Sequence, residues 1–241
     1  MKEKKVLIIK FGGLGDIILS LDSLYSIYKH HQNKKIVLLT EKPYDKILKN
    51  AKWFNEIVLI NRTFLYYFDL LQIKKKLSKY SFSHLYDLQT SRRTSYYLKY
   101  FSNNQVITSG IGKFAKIPHN NIKRNFLHTI ERQKEQLNLC KINFTMINNH
   151  KWLEESNIEI PSKKFALVIP GGSGKRKYKR IPISTYKKIL EFLIYKRIKP
   201  LLIGAQDDLE ICKLLSCQFD ETINLCNKTT IGNIFFLSKY A

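Results

Sequence analysis

The sequence predicts an α/β protein with two units, each built on a parallel sheet. Continuous apolar runs, which are typical of buried parallel strands, alternate with stretches of helical periodicity. The alternation stops at a polar stretch from about Asn148 to Lys164 and then starts again. The 241 residues leave room for two domains, since domains cluster near roughly 100–150 residues.

The first unit begins with a strand, a glycine loop and a helix. The strand is VLIIKF (6–11), the loop is GGLGD (12–16), and apolar residues at helical spacing follow from Ile17 to Tyr28. Asp16 is expected at the N-cap of this helix, where its carboxylate would accept from backbone N–H groups. The alternation continues through predicted strands at 35–40, 56–60, 84–88 and 105–110, with predicted helices at about 66–79, 92–101 and 128–139.

The second unit repeats the pattern with fewer strands. We place the boundary near residue 160, which gives domains 1–160 and 161–241. The predicted strands are 165–170, 200–205 and 222–225, with helices at 184–197, 208–216 and from Thr230 onward. Because a three-stranded parallel sheet leaves an open edge and a thinly covered core, we expect the second unit to be incomplete.

Composition limits the class of protein. With 44% hydrophobic and 25% charged residues the chain is expected to fold, and its net charge of +23 favours phosphate-rich partners. A compositional bias toward lysine on solvated faces explains the charge equally well. The four cysteines show no C-x-x-C spacing, so no metal site is expected. No stretch resembles a secretory signal or a membrane span, so we expect a cytoplasmic protein that could also sit peripherally on a membrane surface.

Two glycine-rich loops each follow a predicted strand and precede a predicted helix. Backbone N–H groups and the helix dipole favour an anion at such places. The first loop has Ile18 where the dinucleotide fingerprint has its third glycine, which disfavours dinucleotide binding. The second has Ile169 where a P-loop has its first glycine, and Arg176 follows Lys175, which disfavours a Walker-type NTPase.

Five segments in order resemble the ADP-heptose heptosyltransferases, glycosyltransferase family nine. The resemblance implies a GT-B-like fold of two Rossmann-like parallel-sheet domains, the second incomplete here. Thr90 stands where the family has Gly, Ile181 stands where it has Trp, and the family's Asp-Thr-Gly-Pro-Met-His segment would begin after Ala241. The matching segments are FGGLGDIILSLDSL (11–24), HLYDLQTSRR (84–93), HTIERQKEQLNL (128–139), PGGSGKRKYKRIP (170–182) and CNKTTIGNIFFLSKYA (226–241).

The resemblance also implies a reaction. It is the inverting, metal-independent transfer of heptose or a related sugar from an ADP-sugar to a lipopolysaccharide core or similar anionic glycolipid. The ADP-sugar is a co-substrate, and no cofactor is expected. Asp16 matches the general base, a role compatible with helix capping. Lys179 matches the lysine that stabilises the departing diphosphate, with Gly172 and Ser173 as loop contacts.

Further site residues follow from the same resemblance. In the second domain, which would bind the nucleotide-sugar donor, Asp208 would accept from the ribose hydroxyls of the donor. A helix cap is the alternative role of Asp208. Thr229 would line the base pocket, or is an ordinary loop residue. The predicted acceptor-binding residues are Gly13, Arg92 and Arg93, although exposed helix arginines would look the same. The pair Tyr66 and Tyr67 fits packing or an acceptor-facing loop equally well.

Two other classes of function stay open at this point. One is an inactive or partial remnant of such an enzyme that keeps the acceptor-binding surface without turnover. The other is a basic nucleic-acid-binding α/β protein, which would bind oligonucleotides with steep salt dependence. Because the sequence has no aromatic ribonucleoprotein motif, no specific nucleic acid is expected as a partner.

Overall fold

The computed structural model describes residues 3–101, 105–161, 164–172, 178 and 180–241. The chain forms two compact units, Met1–His150 and Lys151–Ala241. Both are α/β units with parallel sheets, which confirms the predicted fold class. The division lies before residue 160 because the segment after His150 is fastened to the second unit. There the Glu155 N–H donates to the Gly232 carbonyl at 3.3 Å, and Asn233 Nδ2 donates to the Glu155 carbonyl at 3.0 Å.

The first unit contains a six-stranded sheet with the order β3-β2-β1-β4-β5-β6. All neighbouring strands are parallel. In this order the chain reverses its winding direction between β1 and β4, and ligands of open α/β sheets bind at the carboxyl ends of the strands at such a point. The strands are β1 (Lys4–Ile9), β2 (Ile36–Thr40), β3 (Glu56–Leu59), β4 (Ser81–Asp87), β5 (Ile107–Gly110) and β6 (Ile117–Pro118).

Helices cover this sheet and bury its central strands. The predicted helix from Ile17 to Tyr28 is divided in two at Leu19 and Ser20, where the Ser20 hydroxyl donates to the Asp16 carbonyl at 2.6 Å. Local hydroxyl bonds of this kind compete with the helical pattern. The helices are α1 (Leu14–Ile18), α2 (Leu21–His30), α3 (Tyr44–Lys49), α4 (Tyr66–Leu77), α5 (Arg92–Phe101) and α6 (Thr129–Leu139), with a 3-10 turn at Arg124–Phe126.

The second unit contains a three-stranded parallel sheet of order β7-β8-β9, as the sequence predicts. Leu190, Leu202 and Leu215 pack in a buried cluster on one side, and Leu201 and Leu237 lie in a second cluster. The elements are β7 (Phe165–Val168), α7 (Ile183–Tyr195), β8 (Lys199–Leu202), α8 (Leu209–Gln218), β9 (Ile223–Asn224) and α9 (Ile231–Ser238). Among the described residues, no helix has the length and hydropathy needed to cross a membrane.

Candidate functional site

The first glycine loop is fixed by residues that follow β2 and β4, the two strands that flank β1. The Phe11 N–H donates to Gln89 Oε1 at 3.0 Å, and the Gly12 N–H donates to Glu41 Oε1 at 3.3 Å. Gly12 has a φ of +112°, and a Cβ there would lie 3.1 Å from Asp16 Oδ2. Only glycine combines this backbone with that close approach, so the loop brings its main chain directly against Asp16.

Asp16 lies in the first turn of α1 and is exposed to solvent. The N-cap of the helix is Gly13, so the predicted N-cap position of Asp16 is wrong. Instead, Asp16 Oδ2 accepts from the Gly13 N–H at 3.2 Å and caps the helix from within. This contact is one half of a capping box, in which the N3 side chain accepts from the N-cap N–H; the other half is missing because the glycine N-cap has no side chain. Capping orients the carboxylate without burying it.

Lys10 lies directly beneath this loop, where β1 ends. Its side chain is only 3% exposed. Burial lowers the pKa of Lys10 to about 8, against the opposing effects of Asp16 and Asp87 and together with that of Arg132. Lys10 is not among the site residues predicted from the sequence. A lysine that ends the apolar run Val6–Ile9 was the available signal.

Asp87 ends β4 and pairs in register with Ile9 of β1. It is completely buried, and its Oδ1 accepts from the N–H groups of Gln89 at 3.0 Å and Thr90 at 3.1 Å. Its Oδ2 has no hydrogen-bond partner within the described ranges. Burial raises the pKa of Asp87 to about 6, despite the hydroxyl of Thr94 and the two N–H groups.

Thr90 has a φ of +46°, in the left-handed region that favours glycine. This conformation gives a physical reason for a glycine at the equivalent place of the family motif. The Thr90 hydroxyl in return accepts a short hydrogen bond from the Arg124 guanidinium. The structure therefore combines a strained backbone with a contact that glycine cannot make.

Two arginines, Arg124 and Arg132, lie near Asp87 and Lys10 at this end of the sheet. Arg124 Nε donates to His119 Nδ1 at 3.2 Å, and His119 Nε2 lies 2.8 Å from Glu135 Oε2. Burial and the nearby Arg132 lower the pKa of Arg124 below its ordinary value. Arg132 donates to the Thr129 hydroxyl at 2.9 Å, while its buried Nε has no partner in the described part of the chain. Lys10, Arg124 and Arg132 thus concentrate positive charge around Asp87 and the end of β1.

The two predicted acceptor arginines have different environments. Arg93 Nε forms an ion pair at 2.7 Å with Asp69, which is completely buried, and its guanidinium also donates to the Thr63 carbonyl. Arg92 is exposed. The structure therefore gives Arg93 a structural role and leaves the Arg92 side chain at the surface.

A cavity of about 420 Å³ lies beside Arg92, with Arg93 and three aromatic residues in its lining. The rings of Tyr66 and Tyr96 are stacked, with centroids 5.4 Å apart and an interplanar angle of 22°. Phe64 completes the lining. Aromatic walls beside an exposed guanidinium suit a sugar that carries an anionic group.

In the second unit, Asp208 joins the ends of two strands. Its Oδ1 accepts from the Gly172 N–H at 3.1 Å and from Arg180 at 2.9 Å, and its Oδ2 accepts from the Ala205 N–H at 3.0 Å. Asp208 is 5% exposed. A Cβ at Gly171 would lie 2.0 Å from Asp208 Oδ1, so only glycine fits there. The carboxylate caps the 3-10 turn Gln206–Asp208 through the Ala205 N–H, and a helix cap is the alternative that the sequence left open.

Of the other predicted donor residues, Gly172 and Thr229 lie within the described part of the chain. Ser173 and Lys179 lie outside the described residues. The Gly172 carbonyl accepts from Arg180 at 2.8 Å, so both its main-chain groups are engaged. Thr229 Oγ1 is buried and without a hydrogen-bond partner in the described ranges. The described residues contain no group of three or more His, Cys, Asp or Glu side chains that could hold a metal ion.

Comparisons with known proteins identify the fold. No family model matches the sequence, and no curated protein matches it. A glycosyl transferase of family 9 from Veillonella parvula is similar over 100% of this chain and 74% of its own, with a TM-score of 0.73 at 14% identity. This chain therefore has a GT-B-like fold, as this glycosyl transferase does.

Two further solved structures support this fold. The E. coli heptosyltransferase WaaC, solved with ADP-2-deoxy-2-fluoro heptose, matches 92% of this chain and 76% of its own, with a TM-score of 0.70 and 15% identity. The E. coli ADP-heptose lps heptosyltransferase II matches 98% of this chain and 77% of its own, with a TM-score of 0.70 and 13% identity. At these identities the similarity establishes the GT-B-like fold.

Proposed function

We propose that the protein is a heptosyltransferase-like glycosyltransferase. It transfers heptose or a related sugar from an ADP-sugar to an anionic glycolipid such as a lipopolysaccharide core. The observation that carries the proposal is the exposed Asp16 carboxylate, which is oriented by the Gly13 N–H where the sheet changes winding direction. The fold supports it, since one solved structure with this fold is a heptosyltransferase with ADP.

In the proposed reaction, Asp16 is the general base. The acceptor hydroxyl attacks the anomeric carbon from the side opposite the diphosphate, and Asp16 takes the hydroxyl proton. A carbon–oxygen bond to the acceptor forms while the bond to the diphosphate oxygen breaks, and ADP leaves with the electron pair. The product anomer is inverted, and this chain's residues supply the proton acceptor without a metal or a cofactor.

The donor is assigned to the second unit. Lys179 stabilises the charge of the departing diphosphate, with Ser173 and Gly172 as loop contacts. The Gly172 N–H would exchange Asp208 Oδ1 for the diphosphate. Thr229 contacts the nucleotide, which its unpartnered hydroxyl supports. For Asp208 to bind ribose hydroxyls, its Oδ2 would accept from them beside the Ala205 N–H. Backbone support of this kind pre-orients a carboxylate for a ligand.

The acceptor is assigned to the first unit. Arg92 supplies a guanidinium beside the aromatic cavity, Gly13 lies next to the base, and Arg124 and Arg132 add positive charge. Arg93 contributes by holding α4 and α5 together through Asp69. An acceptor carried by a lipid would place the protein peripherally at the cytoplasmic face of the inner membrane.

Calorimetric titration of ADP into the 241-residue chain tests the proposal. We expect saturable ADP binding that Lys179→Ala abolishes and that Lys187→Ala, a change on α7, leaves intact. Asp16→Asn is expected to bind ADP normally, since the base contacts the acceptor. Absence of ADP binding together with tight, salt-sensitive binding of an oligonucleotide would overturn the proposal in favour of a nucleic-acid-binding protein.

A further inference from the structure

An exposed apolar surface lies between β3 and the first turns of α4. We call it the aromatic tip, and it consists of Phe64, Leu65, Tyr67, Phe68 and Leu71. Phe64 is 99% exposed and Tyr67 is 60% exposed, and the other members are all exposed as well. Single exposed apolar residues are ordinary, but a contiguous group of this size marks an interaction site.

The aromatic tip is held outward by a buried anchor. Asp69 Oδ1 accepts from the Thr63 N–H at 2.8 Å and from the Thr63 hydroxyl at 3.0 Å. Its Oδ2 pairs with Arg93 and accepts from the Tyr97 hydroxyl. Both ends of the segment from Thr63 to Asp69 are thereby fixed, which holds the main chain that carries the exposed aromatic side chains in place.

Helix α4 has two chemically different sides. Asp69, Ile73 and Leu77 recur every four residues and are buried. Tyr67 and Leu71 lie on the opposite side, which continues into the exposed Lys74 and Lys75. Lys75 is eight residues beyond Tyr67, or about 12 Å along the helix axis. The only acidic residue of α4 is the buried Asp69, so the exposed side of α4 is apolar at one end and cationic at the other.

We propose that the aromatic tip docks on an anionic lipid bilayer. Aromatic side chains prefer the membrane interface, and lysines within about 12 Å lie close enough to attract anionic headgroups. A second copy of this chain is disfavoured as the occupant because each copy carries a net charge of +23. The surface supplies both an insertion element and the charge complementary to an anionic membrane.

The location of the aromatic tip connects it with the site. It follows the carboxyl end of β3, and the loop before Asp16 follows the carboxyl end of β1 in the same parallel sheet. Docking would therefore present this edge of the first unit to acceptors anchored in the bilayer. This connection rests on the proposed function, whereas docking itself can be measured without it.

Co-sedimentation with vesicles tests the docking. The vesicles are mixtures of phosphatidylglycerol and phosphatidylethanolamine, with pure phosphatidylcholine vesicles for comparison, at low and high salt. We expect binding to the anionic vesicles, and we expect Phe64→Ser/Phe68→Ser to weaken it by about tenfold or more. The matched control is Phe192→Ser/Tyr195→Ser on α7, which removes two exposed aromatics and should bind as the wild type does.

A charge test separates the two parts of the surface. Lys74→Gln/Lys75→Gln should weaken binding to anionic vesicles several-fold, while Lys187→Gln/Lys188→Gln removes the same net charge from α7 and should not. If each variant and its control lost vesicle binding equally, the proposal would be overturned. It would also be overturned if the chain did not bind vesicles and sedimentation velocity showed dimers that depend on Phe64. Normal thermal unfolding of each variant shows that the fold is intact. Vesicle binding without ADP binding would remove the proposed function and leave the docking surface standing.

Discussion

The two units share one local arrangement of a glycine loop and an aspartate, but the aspartate differs in its exposure and its hydrogen bonds. In each, a glycine loop follows the first strand of the sheet, and an aspartate at the start of a helix accepts from loop N–H groups. Asp16 makes one such contact and is exposed, whereas Asp208 makes several and is buried. The comparison teaches that the aspartate in this design can keep its carboxylate exposed or use it to fasten the loop. Exposure and the number of hydrogen bonds separate the two roles.

Substitution of Asp16 tests the chemical side of this comparison and has the largest expected effect. Asp16→Asn removes the proton acceptor but keeps an oxygen for the Gly13 N–H, so transfer should fall by about 10²–10⁴-fold with little change in stability. The measurement is ADP release from ADP-heptose with a lipopolysaccharide core acceptor. The control is Asp22→Asn in the first turn of α2. Full activity in Asp16→Asn would refute the assignment of the base.

Substitution of Asp208 tests the structural side. Asp208→Ala leaves the Gly172 and Ala205 N–H groups and Arg180 without their acceptor, so unfolding of the second unit should become easier by roughly 2–4 kcal/mol. Urea unfolding measures this difference. Asp207→Ala removes a neighbouring exposed carboxylate and should change stability by less than about 0.5 kcal/mol. Similar effects of the two substitutions would show that Asp208 does not fasten the loops.

The buried Lys10 predicts a pH dependence in the first unit. Its pKa is lowered from 10.5 to about 8 on folding. The unfolded chain therefore binds more protons between these values, and stability should rise as pH increases from about 8 to 10.5, by up to about 3 kcal/mol from this group. Lys10→Met should lack that rise in urea unfolding across this range. Lys4→Met, at an exposed position of β1, should keep it.

The smallest predicted effect concerns the backbone at Thr90. Thr90→Gly and Thr90→Ala both lose the contact with Arg124, but only glycine relieves the left-handed conformation. The glycine variant should therefore be more stable than the alanine variant by about 1 kcal/mol. Thermal unfolding of the two variants side by side isolates the backbone contribution. An alanine variant as stable as the glycine variant would contradict the argument.

Much of the fold could be predicted because buried parallel strands leave a strong apolar signal. The strands at VLIIKF and FALVIP were predicted from that signal, and β1 and β7 overlap them. The break at Ser20 was missed because it depends on a hydroxyl bond to the backbone, which periodicity does not register. The N-cap was misplaced because the glycine at its real position offers no side chain to recognise.

The residues of the candidate site were harder to predict where their partners lie far away in the sequence. Spacing cannot show that Arg93 rather than Arg92 reaches Asp69, since the partner lies on another helix. Lys10 gains its character from burial beside Asp87, which only the sheet order creates. By contrast, Asp16 could be proposed as a candidate from a local motif, because the loop and its carboxylate are adjacent in sequence.

The most direct test of the central claim is to identify the product. The 241-residue chain would be incubated with ADP-heptose and a lipopolysaccharide core acceptor in the presence of EDTA, and the product analysed by NMR. The account predicts ADP release equal to the heptose transferred, with an anomeric configuration opposite to that of the donor. Retention of configuration, abolition of transfer by EDTA, or no transfer at all would contradict it.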